Sequence, residues 1–399
     1  MRILLVHNAY KIPGGEEVVV EQERKLLEQA GHEVFFYGRT NFEADEYHGV
    51  RQLALIRNIA WSDGTSRELG EILHRRQPDI VHVHNTFMMM SPIVYTTCRT
   101  AGIPVVQTLH NYRMFCPGAN FVRGGKACEE CTEHGLLRGV RYGCYRDSKA
   151  ATASVALMIA HQRKRQAYPD AFIALSEFSR QKFLSHGVPA QKLFVKPNFV
   201  APDPGERIET GSFAVVVGRL SSEKGLPVLL AGWKHLQSRV PLKIVGDGPL
   251  LSETQQKAQQ MGLAELSFTG RLPRPQAQAL MKAARFLVAT SECYENFPMG
   301  IAEAFAAGVP VICSRLGAMQ EIVDHEFTGL HFNPGDPADL AEKVTWAWNH
   351  PVEMNRMGRE ARRQYEARYT PEKNYPILMS IYQQVMAANT TAVEASAVT

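Results

Sequence analysis

The chain has 399 residues, 45% hydrophobic and 21% charged, a composition of ordinary soluble globular proteins with enough length for two domains. A formal net charge of +4 is compatible with an anionic substrate or membrane surface, but is too weak to argue for nucleic acid. Seven cysteines, behind an N-terminus "MRILLVHNAY" that does not read as a signal peptide, point to a reducing cytoplasm and to free thiols or metal ligands.

In chain order, "RILLV" at 2–6, "EVFFY" at 33–37, "DIVHV" at 79–83, "PVVQTL" at 104–109 and "AFIAL" at 171–175 read as buried strands separated by helical patterns. That alternation predicts a parallel sheet with helices on both faces. It breaks at "FVAPDPGERIETGS", 199–212, which reads as a linker. It restarts with "FAVVV" at 213–217, "LKIV" at 242–245, "LSF" at 266–268, "FLVAT" at 286–290 and "PVIC" at 310–313. The expectation is an α/β protein of two doubly wound domains, 1–200 and 211–370, with a cleft between them. A last helix over 371–388 is expected to pack back on the first domain, and the polar tail 389–399 to be disordered. The longest near-apolar run, 150–160, is too short to span a bilayer.

In open α/β sheets ligands bind beyond the carboxyl ends of the strands. After the first strand, Gly14 and Gly15 stand at the entrance to a helix, where backbone N–H groups can approach an anion; a plain turn is the competing reading. Neither a G-x-G-x-x-G fingerprint nor a Walker P-loop is present, which weighs against a dehydrogenase or an NTPase. In the second half, "VVVGRLSSEKG" places Arg219 and Lys224 after a strand. Their charges suit a diphosphate, against the competing reading of solvated surface charges. In "TSECYENFPMGIAEAFAAGVPV", 290–311, Pro298 is placed to open a helix, and Glu303 then falls among apolar helix residues. A carboxylate there needs a partner.

Four elements, "GRLSSEKG", "VGDGP", "FTGR" and the stretch from "CYENFPMGIAEAFAAGVPV" onward, resemble in order and spacing the retaining nucleotide-sugar glycosyltransferases of family 4. The resemblance is dense over about 171–350 and looser over the first 112 residues. It implies the GT-B fold, two Rossmann-like domains facing across a cleft. It also implies transfer of a sugar from a nucleoside-diphosphate sugar to a saccharide or lipid-linked acceptor, in bacterial surface polysaccharide or glycolipid assembly. Glu295 and Glu303 match the family's paired glutamates: Glu303 would accept from the donor ribose, and Glu295 would approach the donor sugar. Met299 and Gly300 would offer backbone N–H groups to sugar and phosphate, and Arg219 and Lys224 would neutralise the leaving diphosphate. In the first domain Gly15 would contact phosphate and His110 the transferred sugar; His82 and His84 are weaker candidates, His82 reading as structural. The family retains configuration by same-face attack without a divalent metal, so no catalytic cofactor is expected, and no D-x-D pair is present to hold one. Rival readings are an epimerase or hydrolase of the same fold, or a silent binding subunit; retention of the EKG and paired-glutamate motifs disfavours both.

An insertion at about 113–147 carries Cys116, Cys128, Cys131 and Cys144. A C-x₂-C knuckle flanked by single cysteines is a partial match to a closed structural zinc site, and unliganded thiols are the alternative. A similar insertion occurs in some relatives of the resembled family. Between Arg138 and Arg165 seven basic residues accompany one acidic residue. This predicts either a peripheral contact with the inner face of a membrane or a buried helix with a solvated charged end.

Overall fold

A computed structural model describes residues 1–49, 51–236 and 240–397. The chain divides into two compact units: the first takes in Met1–Phe121, Glu129–Lys196 and the chain from Asn374 onward, the second Val122–Cys128 and Pro197–Lys373.

In the first unit, strands β1 (Arg2–Ala9), β2 (Glu33–Thr40), β3 (Ile80–Asn85) and β4 (Val105–Thr108) share a sheet with two more. A short antiparallel hairpin of β5 (Val122–Arg123) and β6 (Lys126–Ala127) intervenes in sequence, before β7 (Ala171–Ala174) and β8 (Leu193–Val195) complete the sheet. The order is β2-β1-β3-β4-β7-β8 and every pairing is parallel. Successive residues of a strand face opposite sides, and here both sides are apolar. Ile3 and Leu5 pack with Ile80, Val106 and Ile173 on one face. Leu4 and Val6 pack with Leu69, Val81, Val83 and Val94 on the other.

The second unit repeats the plan with β9 (Ala214–Val217), β10 (Leu242–Val245), β11 (Leu266–Gly270), β12 (Phe286–Ala289), β13 (Val311–Ser314) and β14 (Gly329–Phe332). These lie in the order β11-β10-β9-β12-β13-β14, again all parallel. The helix Leu226–His235 covers one face with Leu226, Leu229, Leu230 and Trp233. The Trp233 indole N–H is spent on Val240 O at 2.9 Å, so the largest side chain of this core is buried without an orphan donor. Each sheet reverses its strand order once, between β1 and β3 and between β9 and β12. Those reversals are where open sheets leave room for ligands.

The edge strands β8 and β14 are absent from the sequence reading. The last helix also departs from it: Pro371–Ala397 continues past 388 through most of the tail expected to be disordered. Asn389 Nδ2 ties it to Gly102 O at 3.0 Å, and Ala392, Glu394, Ala395 and Ala397 are good helix formers that let a nucleated helix propagate. Residues 398 and 399 lie outside the described residues. The helix supplies Leu378, Ile381, Tyr382 and Val385 to the core of the first unit.

Burial of each such side chain is worth roughly 1.5–3 kcal/mol, so the four together rival the total stability of a domain, about 5–15 kcal/mol. A chain ending at Lys373 should therefore lose hydrogen-exchange protection in β1 and β3 and keep it in β9 and β10. Protection retained in β1 would show that the helix is dispensable.

Candidate active site

At the strand reversal of the second unit, the loops after β9 and β12 are stitched together. Gly225 lies at φ +65°, and a Cβ there would fall 1.9 Å from Thr290 O, so only glycine allows the approach. Thr290 Oγ1 donates to Lys224 O at 2.7 Å, and Glu292 N–H donates to Glu223 O at 2.9 Å. The result is that Lys224 Nζ meets Glu295 Oε1 at 2.5 Å, with Ser291 Oγ donating to the same oxygen at 2.8 Å. Burial works against both charges, but each outweighs that cost for the other: Lys224 is held above its ordinary pKa and Glu295 below. A second close approach sets the neighbouring loop: Gly246, at φ +148°, would place a Cβ 1.8 Å from Gly218 O. Arg219, next to Gly218, is exposed.

Pro298 caps the helix Met299–Ala306, whose first N–H groups have no intrahelical acceptor. Glu303 lies in that helix between buried Ala302 and Ala304. Arg274 Nη2 donates to Glu303 Oε1 at a long 3.3 Å. Burial raises the Glu303 carboxyl above its ordinary pKa, and Arg274 only partly offsets it. Glu295 is thus a well-paired anion and Glu303 an under-paired one.

At the strand reversal of the first unit, Gly14 precedes the helix Gly15–Gln29. Glu17 reaches back to accept from Gly14 N–H at 2.6 Å and Tyr10 N–H at 3.0 Å, fixing the loop, while Gly14 and Gly15 are exposed. His110 follows β4, and its Nε2 lies 3.0 Å from His84 Nδ1. His84, Phe87, Gln107, His110, Asn111 and Arg113 line a small pocket in this unit. The Arg113 guanidinium lies over the Phe87 ring, 3.9 Å from its centroid, and donates to Pro117 O at 3.1 Å. His82 is fully buried, with Nδ1 2.7 Å from Tyr382 Oη and Nε2 2.8 Å from Thr108 Oγ1.

Two family models match in tandem: "Glycosyltransferase Family 4" over residues 13–204 and "Glycosyl transferases group 1" over residues 202–364. Together the two matches run from residue 13 to residue 364 and support a GT-B glycosyltransferase. It is 32% identical to the D-rhamnosyltransferase WbpZ of Pseudomonas aeruginosa over 160 residues, 40% of this chain and 42% of that protein. It is 29% identical to the O-antigen chain mannosyltransferase C of Escherichia coli over 177 residues, 44% and 47% of the two chains. The matches thus span less than half of either relative. Among solved structures, Anabaena Alr3699/HepE in complex with UDP superposes with a TM-score of 0.67 at 19% identity, covering 98% of this chain and all of that one.

In this GT-B chain the second unit gathers Lys224 and Glu295 at one point and sets Glu303 on the helix that follows, while Gly15 and His110 stand in the first unit. Arg274 escaped the sequence reading, since nothing in "RLPRPQ" ties it to a glutamate 29 positions on. Glu23, behind the histidines, also escaped. Its signal was present in "EVVVEQERKLL", where it occupies the buried face shared by Val19, Val20 and Leu27.

The cysteine insertion is built around the turn Cys116–Ala119. Backbone N–H groups of Phe121, Gly118 and Ala119 face the Cys116 sulfur and oppose the rise in its pKa that burial causes. At Gly118 a Cβ would lie 3.7 Å from Cys116 Sγ and 3.6 Å from Cys144 Cβ; at Gly139 it would lie 3.1 Å from Cys131 Sγ. Cys116 and Cys144 thus lie beside Gly118 and Cys131 beside Gly139, while Cys128 falls in the second unit. Among the described residues these thiols form no group of three or more with ligand atoms within 4.8 Å of one another, and none of the seven cysteines is in a disulfide. N–H groups aimed at sulfur suit a thiolate, the form that binds metal. Among the described residues no helix is long and apolar enough to cross a membrane.

Proposed function

We propose that the chain is a retaining glycosyltransferase that moves a sugar from a nucleoside-diphosphate sugar to a saccharide or lipid-linked acceptor in bacterial surface polysaccharide or glycolipid assembly. The observation that carries this reading is the Gly225-stitched loop pair, which sets Lys224 against Glu295 at the strand reversal of the second unit. The O-antigen and rhamnosyl relatives support the pathway class, and the UDP-glucose complex of Alr3699/HepE supports the donor class.

Glu303, under-paired in its apolar helix, accepts from the ribose diol. Met299 and Gly300 offer N–H groups at the helix N-terminus. As C1 of the sugar passes through an oxocarbenium-like state, the bond to the phosphate oxygen breaks and Lys224 and Arg219 stabilise the charge left there. The acceptor oxygen bonds to C1 on the same face, and its proton passes to the departing phosphate. Glu295 positions Lys224 and meets the donor sugar. Gly15 contributes to phosphate binding and His110 to recognition of the transferred sugar. No metal enters this scheme. Cys116, Cys128, Cys131 and Cys144 hold a structural zinc that braces the insertion. The helix Lys149–Arg165, with Leu157 exposed and Arg163, Lys164 and Arg165 in its last turn, gives the chain a peripheral contact with an anionic membrane face.

A thermal-shift screen of nucleoside-diphosphate sugars tests the whole reading, since a ligand of the native state raises Tm by mass action; no stabilisation by any of them would refute it. Glu303→Ala should weaken binding of the stabilising donor by roughly 1.5–3 kcal/mol and leave the fold intact. A diol donates to the ionised carboxylate, so donor affinity should rise as pH climbs through the Glu303 pKa, which lies above the ordinary 4.5. Glu303→Gln should flatten that dependence, and a pH profile the same in both would remove the ribose assignment. Lys224→Ala or Arg219→Ala should lower kcat by about 10²-fold or more. A raised KM with unchanged kcat would make them ground-state anchors. Purified protein should carry about one zinc per chain, released by thiol modification with a fall in Tm. Metal-free protein after anaerobic purification without chelators would exclude the zinc.

A further inference from the structure

Behind His110 the first unit buries a line of ionisable groups that the proposed chemistry does not use. Lys196, just past β8 and fully buried, places Nζ 2.9 Å from Glu23 Oε2 and 3.0 Å from Asn374 Oδ1. Glu23, also fully buried, places Oε1 2.8 Å from His82 Nδ1 and 3.2 Å from His84 Nε2. His84 Nε2 and Glu23 Oε1 make no well-directed hydrogen bond, and they face each other at ion-pair distance, 3.2 Å. The rings of His82 and His84 stack with centroids 4.4 Å apart, and those of His84 and His110 at 5.3 Å.

Glu23, His82 and His84 bring ligand atoms within 4.8 Å of one another, a spacing a metal ion could use. The Lys196 ammonium already supplies the cation to this carboxylate, and a divalent ion beside it would be repelled in an interior of low dielectric. Both His82 nitrogens are also engaged, by Tyr382 and Thr108. Nor is stability a sufficient reason for the cluster. Buried ion pairs are often no more stabilising than well-packed apolar residues of the same volume.

The ionisation states give the line a direction. Lys196 and the histidines hold the Glu23 carboxyl ionised against the burial that would neutralise it. Burial keeps His84 neutral, with its pKa lowered to about 4, and lowers His110 as well. An ionised carboxylate only accepts hydrogen bonds, and a neutral imidazole has one donor and one acceptor. The tautomer of each ring is then set by the group before it.

We propose that Glu23 is a positioning residue that fixes the tautomer of His110 through His84. Its carboxylate takes the Nε2–H of His84, so His84 Nδ1 is an acceptor. His110 donates its Nε2–H to that acceptor, and His110 Nδ1 carries no proton of its own and can accept from a sugar hydroxyl. This use of Nδ1 rests on the reading of His110 as the residue that meets the transferred sugar. The tautomer itself does not.

The test is long-range ¹H–¹⁵N NMR of the full chain labelled at histidine nitrogen, at neutral pH, with His110 assigned by loss of its signals in His110→Ala. In the wild type His110 should show a pyridine-like Nδ1 and a pyrrole-like Nε2. The double variant Glu23→Gln, Lys196→Met removes both buried charges together, so that no ammonium is left unpaired. Its Gln amide can donate to His84 Nε2, and His110 should turn wholly or partly to the Nδ1–H tautomer. A protonated Nδ1 in the wild type overturns the proposal without recourse to any variant, and so does an unchanged His110 pattern in a folded double variant. With the donor found by the thermal screen, the double variant should lose about 10-fold in kcat/KM, the scale of one lost hydrogen bond to the sugar. If the folded double variant has a lowered Tm but wild-type kcat and KM, Glu23 is structural only and the positioning role falls. If His110→Ala transfers sugar normally, the reading of His110 falls, while the NMR judges the tautomer separately.

Discussion

The contact between Lys224 and Glu295 depends on a backbone approach that no side chain at position 225 would permit. A Cβ 1.9 Å from Thr290 O is far inside any real contact, so the left-handed glycine lets the loop after β9 touch the loop after β12. Once the loops touch, the lysine of one and the carboxylate of the other are 2.5 Å apart and sustain each other's charge against burial. The ion pair fixes both side chains at the strand reversal, where the parallel sheet leaves room for a ligand. Sheet topology therefore chooses the place, glycine permits the approach, and electrostatics sets the geometry.

The two glutamates of the second unit differ in how well they are satisfied, and this difference separates their roles. Glu295 has a short ion pair and a serine donor, so a ligand gains little by bonding the oxygen that already receives both. Glu303 has one long contact, to Arg274, and burial keeps its carboxyl hungry for donors. A buried acceptor that is poorly served in the free protein gives its full hydrogen-bond energy to whatever donors arrive. The apolar neighbours that made Glu303 conspicuous are the cause of that deficit.

Much of this was legible in the sequence because doubly wound sheets write a strong pattern. Both faces of each central strand are covered, so "RILLV" and "FAVVV" read as continuous apolar runs, and helices must lie between them. The edge strands Leu193–Val195 and Gly329–Phe332 span three and four residues, too short to stand out from loop. Helix entry at Pro298 was also readable, since proline fixes the backbone locally. Pairings across long separations were not. Lys196 meets Glu23 across 173 residues and Asn374 across 178, and no local pattern records such a meeting. The helical continuation beyond 388 was missed for a different reason. Its polar, small residues resemble a disordered tail by composition, while their helix propensity needs the anchored helix before them to matter.

The buried histidines of β3 illustrate why a residue's surroundings outweigh its position. His82 and His84 alternate with valines in "DIVHVHN", a pattern that a half-polar strand would also give. Their burial is tolerable because Glu23 comes from the first helix and Lys196 from the far edge of the sheet, so that the carboxylate among the imidazoles is balanced by an ammonium. Remove the lysine alone and the carboxylate would be drawn toward protonation, becoming a donor as well as an acceptor. The direction of every hydrogen bond up to His110 would then lose its anchor. Lys196, which stands behind Glu23 and away from the small pocket, thus governs what the pocket can offer, and it does so by keeping one buried oxygen pair charged.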